Sequence, residues 1–192
     1  MCLAPMRLFL AIELPQPLLD ALEAAIVPLR SAAPDISWVP VAKRHLTLKF
    51  LGDVPEERLG PVVALAEGVG RQHRALSMQL NGVGAFPNFR RARVVWIGVE
   101  QDARLELLHH DLEVAGDIGG FEMEGRAFRP HVTLARVRSP MDVDHARRLA
   151  RVARTIDFSA TVPVREITVF ESMLAASGAS YRRVHAAQLG GR

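Results

Sequence analysis

Polar and aliphatic residues alternate along His45-Leu46-Thr47-Leu48, and again along His131-Val132-Thr133-Leu134. That is the pattern of a half-buried β-strand. Successive side chains on a strand point to opposite faces, so each histidine shares a face with the threonine two residues on, above a buried aliphatic pair. Further elements follow from the same reading. Residues 7–14 form an apolar strand closed by Pro15, with 1–5 as an N-terminal extension. Pro17 suits the first turn of a helix, and Leu18, Leu22, Ala25, Ile26 and Leu29 recur at helical spacing to Arg30. A loop over 31–37 leads to strands at 38–41 and 44–52. Asp53-Val54-Pro55-Glu56 has the composition of a capped helix start, continued by Leu59, Val62, Ala66 and Val69 on one side.

The second half repeats this outline. Strands are expected at 76–80 and 94–99, with 81–89 as a long connection between halves. Gly82 and Gly84 do not make a dinucleotide fingerprint, because Pro87 stands at the third glycine position and no helix opens there. A helix over 102–117 puts Leu105, Leu108, Leu112 and Ala115 inward, and the second histidine strand follows at 130–137. Ser139-Pro140-Met141-Asp142 starts another helix, with Val143, Ala146, Leu149 and Ala153 inward. Strands at 156–162, 165–170 and 181–189 end the pattern, leaving 190–192 as a flexible tail. Strand, helix, histidine strand, helix, strand thus occurs twice. Irregular alternation and a run of closing strands favour α+β with antiparallel sheets over a doubly wound fold. The duplication predicts one bilobal domain: two sheet-plus-helix lobes related by pseudo-two-fold symmetry, with the active-site cleft between them.

Composition narrows the class without choosing within it. A chain of 192 residues can bury a full core as one domain. An apolar share of 49% and a charged share of 23% are those of an ordinary globular protein. No apolar run reaches the length of a membrane span, and the N-terminus lacks the basic and apolar regions of a secretory signal. Cys2 is the only cysteine, which excludes an internal disulfide and a cysteine zinc cluster. A cytoplasmic location is the expectation. Net charge is +3 with a pI near 9.7, and arginines cluster at 90–93, 126–138 and 147–154. Arginine binds phosphate oxygens in pairs, but solvated helix faces carry the same residue, so charge alone does not decide.

Chemistry enters with the duplication. One His-x-Thr triplet carries little information, whereas two in strand phase supply two imidazoles and two hydroxyls, the parts needed to move protons around a phosphate. The chain resembles the 2H phosphoesterases, named for two such motifs, and within them the RNA 2′,3′-cyclic phosphodiesterases, also called 2′-5′ RNA ligases. The likeness rests on Arg7 through Pro15, on His45-Leu46-Thr47-Leu48-Lys49-Phe50-Leu51-Gly52, on Phe128 through Arg136, and on Glu171-Ser172-Met173-Leu174 with Gly178 and Tyr181.

This resemblance implies hydrolysis of an RNA 2′,3′-cyclic phosphate end to a 2′-phosphomonoester, with 2′-5′ ligation as a companion activity. It implies His45 as general acid, His131 as general base, and Thr47, Thr133 and Arg136 as substrate-binding residues. No metal or cofactor is implied, since the imidazoles transfer the protons themselves. Strand parity sets Arg136 opposite His131, so only a bulge or strand end turns it to the phosphate. Lys49 and Arg129 share parity with their histidines and are candidates for positive charge. Phe9, Phe86 and Tyr181 are candidates for base stacking. His73, His109, His110, His145 and His185 read as structural or exposed. The expected partner is RNA with a cyclic phosphate end or a related nucleotide, with no membrane, and the expected state is a monomer. Two alternatives stay open: a 2H enzyme acting on a small cyclic nucleotide or a 2′-5′ oligoadenylate, and a non-catalytic RNA- or nucleotide-binding module.

Overall fold

The computed structural model describes residues 5–175 and 178–190. The strands are β1 (Met6–Glu13), β2 (Ser37–Trp38), β3 (His45–Val54), β4 (Leu76–Phe86), β5 (Val94–Val99), β6 (His131–Arg136), β7 (Ser159–Val164), β8 (Glu166–Ala175) and β9 (Gly178–Gln188). The helices are α1 (Gln16–Ala25), α2 (Val27–Ala32), α3 (Leu59–Gln72), α4 (Ala103–Ile118) and α5 (Val143–Ala153). Among the described residues the strands join in the order β7-β4-β5-β6-β3-β1-β8-β9, with β2 beside β6. Every pairing is antiparallel.

That order reads the same from either end about the β6–β3 seam. Strand β6 corresponds to β3, β5 to β1, and β4 to β8. Only the outermost pair breaks the correspondence, since β7 and β9 both follow α5. At the seam one residue pair is in register, Leu46 with Val132. Both are essentially fully buried. The sheet therefore opens into two lobes that diverge from a shared apolar hinge line. This is the α+β, bilobal, pseudo-two-fold architecture expected from the duplication.

The helices are exchanged between lobes. Helix α4 leaves β5 in one lobe and packs beside α3 over β3 in the other; α2 leaves the β1 side and packs with α5, which covers β4. Leu105, Leu108 and Leu112 of α4 and Leu22, Ile26 and Leu29 around α1 and α2 are fully buried in one continuous core. Each lobe thus carries apolar helix faces contributed by the other half of the sequence.

Several boundaries differ from the sequence expectation for identifiable reasons. The helix expected to run to Arg30 breaks at Ile26, because Pro28 cannot donate the hydrogen bond that an unbroken helix requires there. Residues Val41–Lys43 form a 3₁₀ turn rather than the end of a strand. Asp53 caps no helix; it extends β3 opposite Arg7, and α3 begins only at Leu59. The expected connection over 81–89 instead continues β4 to Phe86, paired with β5. Gly82 takes φ +65 at the irregularity in that pairing, and Gly84 leaves room for Trp96, whose ring a Cβ would overlap. The strand expected over 156–162 is displaced to Ser159–Val164, where Pro163 is tolerated because β7 is an edge strand. Asp102 and Asp142 do cap α4 and α5. Of the terminal segments, residues 1–4 and 191–192 lie outside the described residues.

Candidate active site

The two motifs are built alike. In β3, His45 and Thr47 face the cleft while Leu46 and Leu48 are buried; in β6, His131 and Thr133 do the same over Val132 and Leu134. Antiparallel pairing at Leu46 and Val132 brings all four polar side chains to one face. They line a single cavity of about 340 Å³ together with Lys43 and Arg136.

Each imidazole is oriented by the chain just before it. His45 Nδ1 lies 2.9 Å from the Lys43 carbonyl oxygen, and His131 Nδ1 lies 2.7 Å from that of Arg129. A carbonyl only accepts, so Nδ1 carries the proton in both rings and Nε2 is left to face the cavity. Aromatic rings brace both sides. Phe9 lies 4.9 Å from His45 and Tyr181 meets it edge-on at 5.2 Å; Phe86 meets His131 edge-on at 4.9 Å.

Burial lowers the basicity of both histidines. It pushes His45 down to about 4, with the positive charge of Arg136 adding to the effect and the Lys43 carbonyl opposing it. His131 is lowered by burial first and by Arg136 as well, against the Arg129 carbonyl. Both rings are therefore neutral near pH 7 while the cavity holds no anion. The cavity itself is electropositive, with Arg7, Lys43 and Arg136 on its wall.

Arg136 reaches the cavity by the bulge that its parity required. Trp96 pairs with Thr133 and Val95 with Ala135, so Leu134 is an extra residue on β6. Leu134 and Ala135 are buried in succession, and Arg136 returns to the face of His131. Strand β3 contains the same device. Ala11 pairs with Thr47 and Leu10 with Lys49, leaving Leu48 extra. Here the bulge overturns the expectation for Lys49, which is 3% exposed and turned away from the phosphate face. Its Nζ binds Glu113 Oε2 at 2.7 Å and the Glu122 carbonyl at 2.8 Å. Phe50 takes the cleft position instead.

The remaining candidates divide. Arg129 is exposed beside Phe86, 6.0 Å from its ring centre, and borders a neighbouring cavity rather than the one between the histidines. Phe9 is largely buried under His45 yet lines the histidine cavity together with Tyr181, whereas Phe86 lines the neighbouring cavity. His73 binds Asp111 at 2.8 Å, His109 stacks on Phe128 at 3.9 Å, and His185 lies 3.1 Å from Glu67. Sequence reasoning missed Phe50, Arg7, Lys43 and Ser172 as cavity residues. Arg7, Phe50 and Ser172 lie within stretches quoted for the family likeness, but the cleft position of Phe50 depends on a bulge that alternation does not reveal. Among the described residues no cluster of three or more His, Cys, Asp or Glu side chains could hold a metal ion, and no helix is long and apolar enough to cross a membrane.

A curled antiparallel sheet with a duplicated His-x-Thr face defines a phosphoesterase of the two-histidine class. The family model described as LigT like Phosphoesterase matches twice, over residues 12–96 and 97–181, one motif in each. The chain belongs to that family. It is 31% identical to the RNA 2′,3′-cyclic phosphodiesterase of Methanothermobacter thermautotrophicus, over 91% of this chain and 94% of that one. To the enzyme of that name from Thermotoga maritima it is 30% identical over 97% of each chain. Among solved structures, a Thermus thermophilus protein superposes with a TM-score of 0.79 at 29% identity, covering 97% of this chain and 99% of that one. Escherichia coli LigT complexed with 3′-AMP superposes with a TM-score of 0.74 at 26% identity, covering 96% and 98%.

Proposed function

We propose that this chain, acting as one bilobal domain, hydrolyses the 2′,3′-cyclic phosphate at an RNA end to a 2′-phosphomonoester. The observation that carries this reading is the matched pair of imidazoles, each with Nδ1 occupied by the carbonyl two residues upstream and Nε2 free toward one cavity. His131 takes a proton from water, the water oxygen attacks phosphorus, and the P–O3′ bond breaks as His45 protonates the leaving oxygen. Thr47, Thr133 and Arg136 hold the non-bridging oxygens, where charge concentrates in the transition state. The names of the relatives support RNA as the substrate class.

His45 must be protonated to serve as acid, although burial holds it near 4 in the free protein. The phosphate monoanion supplies the correction, because a negative charge against the ring favours the imidazolium. Substrate binding and protonation of His45 are thus coupled. Both imidazoles come from one chain, so a monomer suffices, and nothing in the site requires a membrane; the cytoplasm is the proposed location.

The test is to hydrolyse a cyclic-phosphate-ended RNA in ¹⁸O-water with EDTA present. One ¹⁸O in a 2′-phosphate is expected. A 3′-phosphate product would reverse the leaving group, and a requirement for added metal would remove the two-histidine chemistry.

A further inference from the structure

The main-chain carbonyls that orient the two histidines are held in different ways. Lys43 belongs to the 3₁₀ turn Val41–Lys43, where its N–H donates to the Pro40 carbonyl at 2.9 Å and that of Arg44 to the Val41 carbonyl at 3.1 Å. His45 is therefore oriented by residues beside it in the sequence. The Arg129 carbonyl has no such turn. Residues 121–130 form neither helix nor strand. The sheet takes over only at Pro130, whose carbonyl accepts from the Val99 amide at 3.1 Å. Before that point the course of the segment depends on what it touches elsewhere in the molecule.

Three side chains, from β3 and α4, make those contacts. Lys49 donates to the Glu122 carbonyl at 2.8 Å, and Glu113 Oε2 accepts from the Glu124 amide at 2.9 Å. His109, one turn before Glu113 on α4, stacks on Phe128 with ring centres 3.9 Å apart and planes 12° from parallel. The three also join one another. Lys49 Nζ lies 2.7 Å from Glu113 Oε2, and His109 Nε2 lies 3.8 Å from Glu113 Oε1. Lys49 and Glu113 are buried, so water offers them little alternative partnership. Phe128 is thus anchored on one side and Pro130 on the other, with Arg129 the single residue between. Pro130 fixes its own φ and holds the residue before it to extended backbone. The direction of the Arg129 carbonyl therefore follows the position of Phe128.

We propose that Lys49, Glu113 and His109 are positioning residues for His131: through Phe128 they aim the Arg129 carbonyl at Nδ1 and so leave Nε2 facing the phosphate. The inference rests on His131 being the base of the proposed reaction, but the aim of its ring does not depend on turnover. None of the three lines the cavity between the histidines. Lys49 lies two residues beyond Thr47, so the strand that carries the first motif also braces the second. A His131 ring that lost the carbonyl could place its proton on Nε2 instead. That nitrogen would then donate, and could not take a proton from the attacking water.

The test is ¹⁵N spectra of the imidazoles on the alkaline side of neutrality, which separate protonated from bare ring nitrogens without substrate. Wild type is expected to show Nδ1–H in both catalytic rings. In His109→Ala the His131 ring is expected to divide between tautomers, while His45, held by its own turn, keeps its wild-type signals. His109→Phe keeps a ring on Phe128 and is expected to restore His131. On a cyclic-ended RNA, kcat of His109→Ala is expected to fall about tenfold or more with KM within about twofold, because misplacing a reacting group slows chemistry more than it weakens phosphate binding. Lys49→Met combined with Glu113→Leu removes both buried charges together and is expected to act in the same direction; if that double variant does not fold, the His109 variants decide. An unchanged His131 tautomer in His109→Ala overturns the inference, as does an equal change in both histidines. So does a rise in KM without a fall in kcat, or His109→Phe behaving like the alanine variant. Absence of hydrolysis by the wild type overturns the proposed function alone, and the spectra still decide the positioning.

Discussion

His45 and His131 reach the cleft in the same way, each with its Nδ1 proton given to a main-chain carbonyl two residues back. That contact fixes the tautomer without a carboxylate, so neither ring gains the basicity that a buried Asp or Glu partner would confer. Burial and Arg136 then lower both. In the free enzyme the pair titrates on the acid side of the usual imidazole value, and its apparent values belong to the pair rather than to either residue. kcat/KM is expected to be greatest below neutrality and to fall as pH rises, because protonated His45 becomes scarce. kcat, which reports the complex, is expected to peak at higher pH, since bound phosphate raises His45. Arg136→Gln removes a positive charge that lowers both rings, so both limbs of the kcat/KM profile are expected to move to higher pH. The same variant is expected to raise KM by about tenfold or more through the lost phosphate contact. A pH profile identical to wild type would show that Arg136 does not act on the histidines.

At the scale of elements, the bulges decide which side chains the strands deliver. Alternation along β3 and β6 made His45, Thr47, His131 and Thr133 legible in the sequence, because period two holds for the three residues of each motif. It fails at Leu48 and Leu134, where one extra residue moves Lys49 and Ala135 into the core and carries Phe50 and Arg136 to the cleft. No residue type marks these bulges; only the pairing with β1 and β5 reveals them. Lys49 consequently joins α4 to β3 from below the cleft. Gly116 on α4 lets it pass, since a Cβ there would overlap Lys49 Cε. Glu113→Gln leaves the Lys49 ammonium buried without its carboxylate, and is expected to cost about 3–5 kcal/mol in urea unfolding. A loss below about 1 kcal/mol would mean that water or another acceptor replaces Glu113.

The whole molecule keeps its cleft open by joining the lobes at a narrow seam and locking them with exchanged helices. Leu46 and Val132 pair at the hinge line, while α4 covers β3 of the opposite lobe and α2 packs against α5 there. The duplicated pattern announced two related lobes and a cleft between them. The exchange was not legible, because helical spacing shows that a face is apolar but not which sheet receives it. The buried histidine also has a consequence for stability. Its folded-state value is depressed, so the unfolded chain takes up the proton first as pH falls, and stability declines from about pH 6.5 toward about pH 4. His45→Asn is expected to reduce that decline by roughly 2 kcal/mol in denaturant midpoints compared at pH 7 and pH 4.5. An unchanged decline would place the acid sensitivity elsewhere.

The most direct measurement of the central claim is turnover of an RNA ending in a 2′,3′-cyclic phosphate, with EDTA present, by wild type, His45→Ala, His131→Ala and the double variant. Groups acting in one proton relay are strongly non-additive. Each single variant is expected to lose about a thousandfold or more in kcat, and the double variant little beyond that. Retention of near-wild-type turnover by either single variant contradicts the two-histidine mechanism.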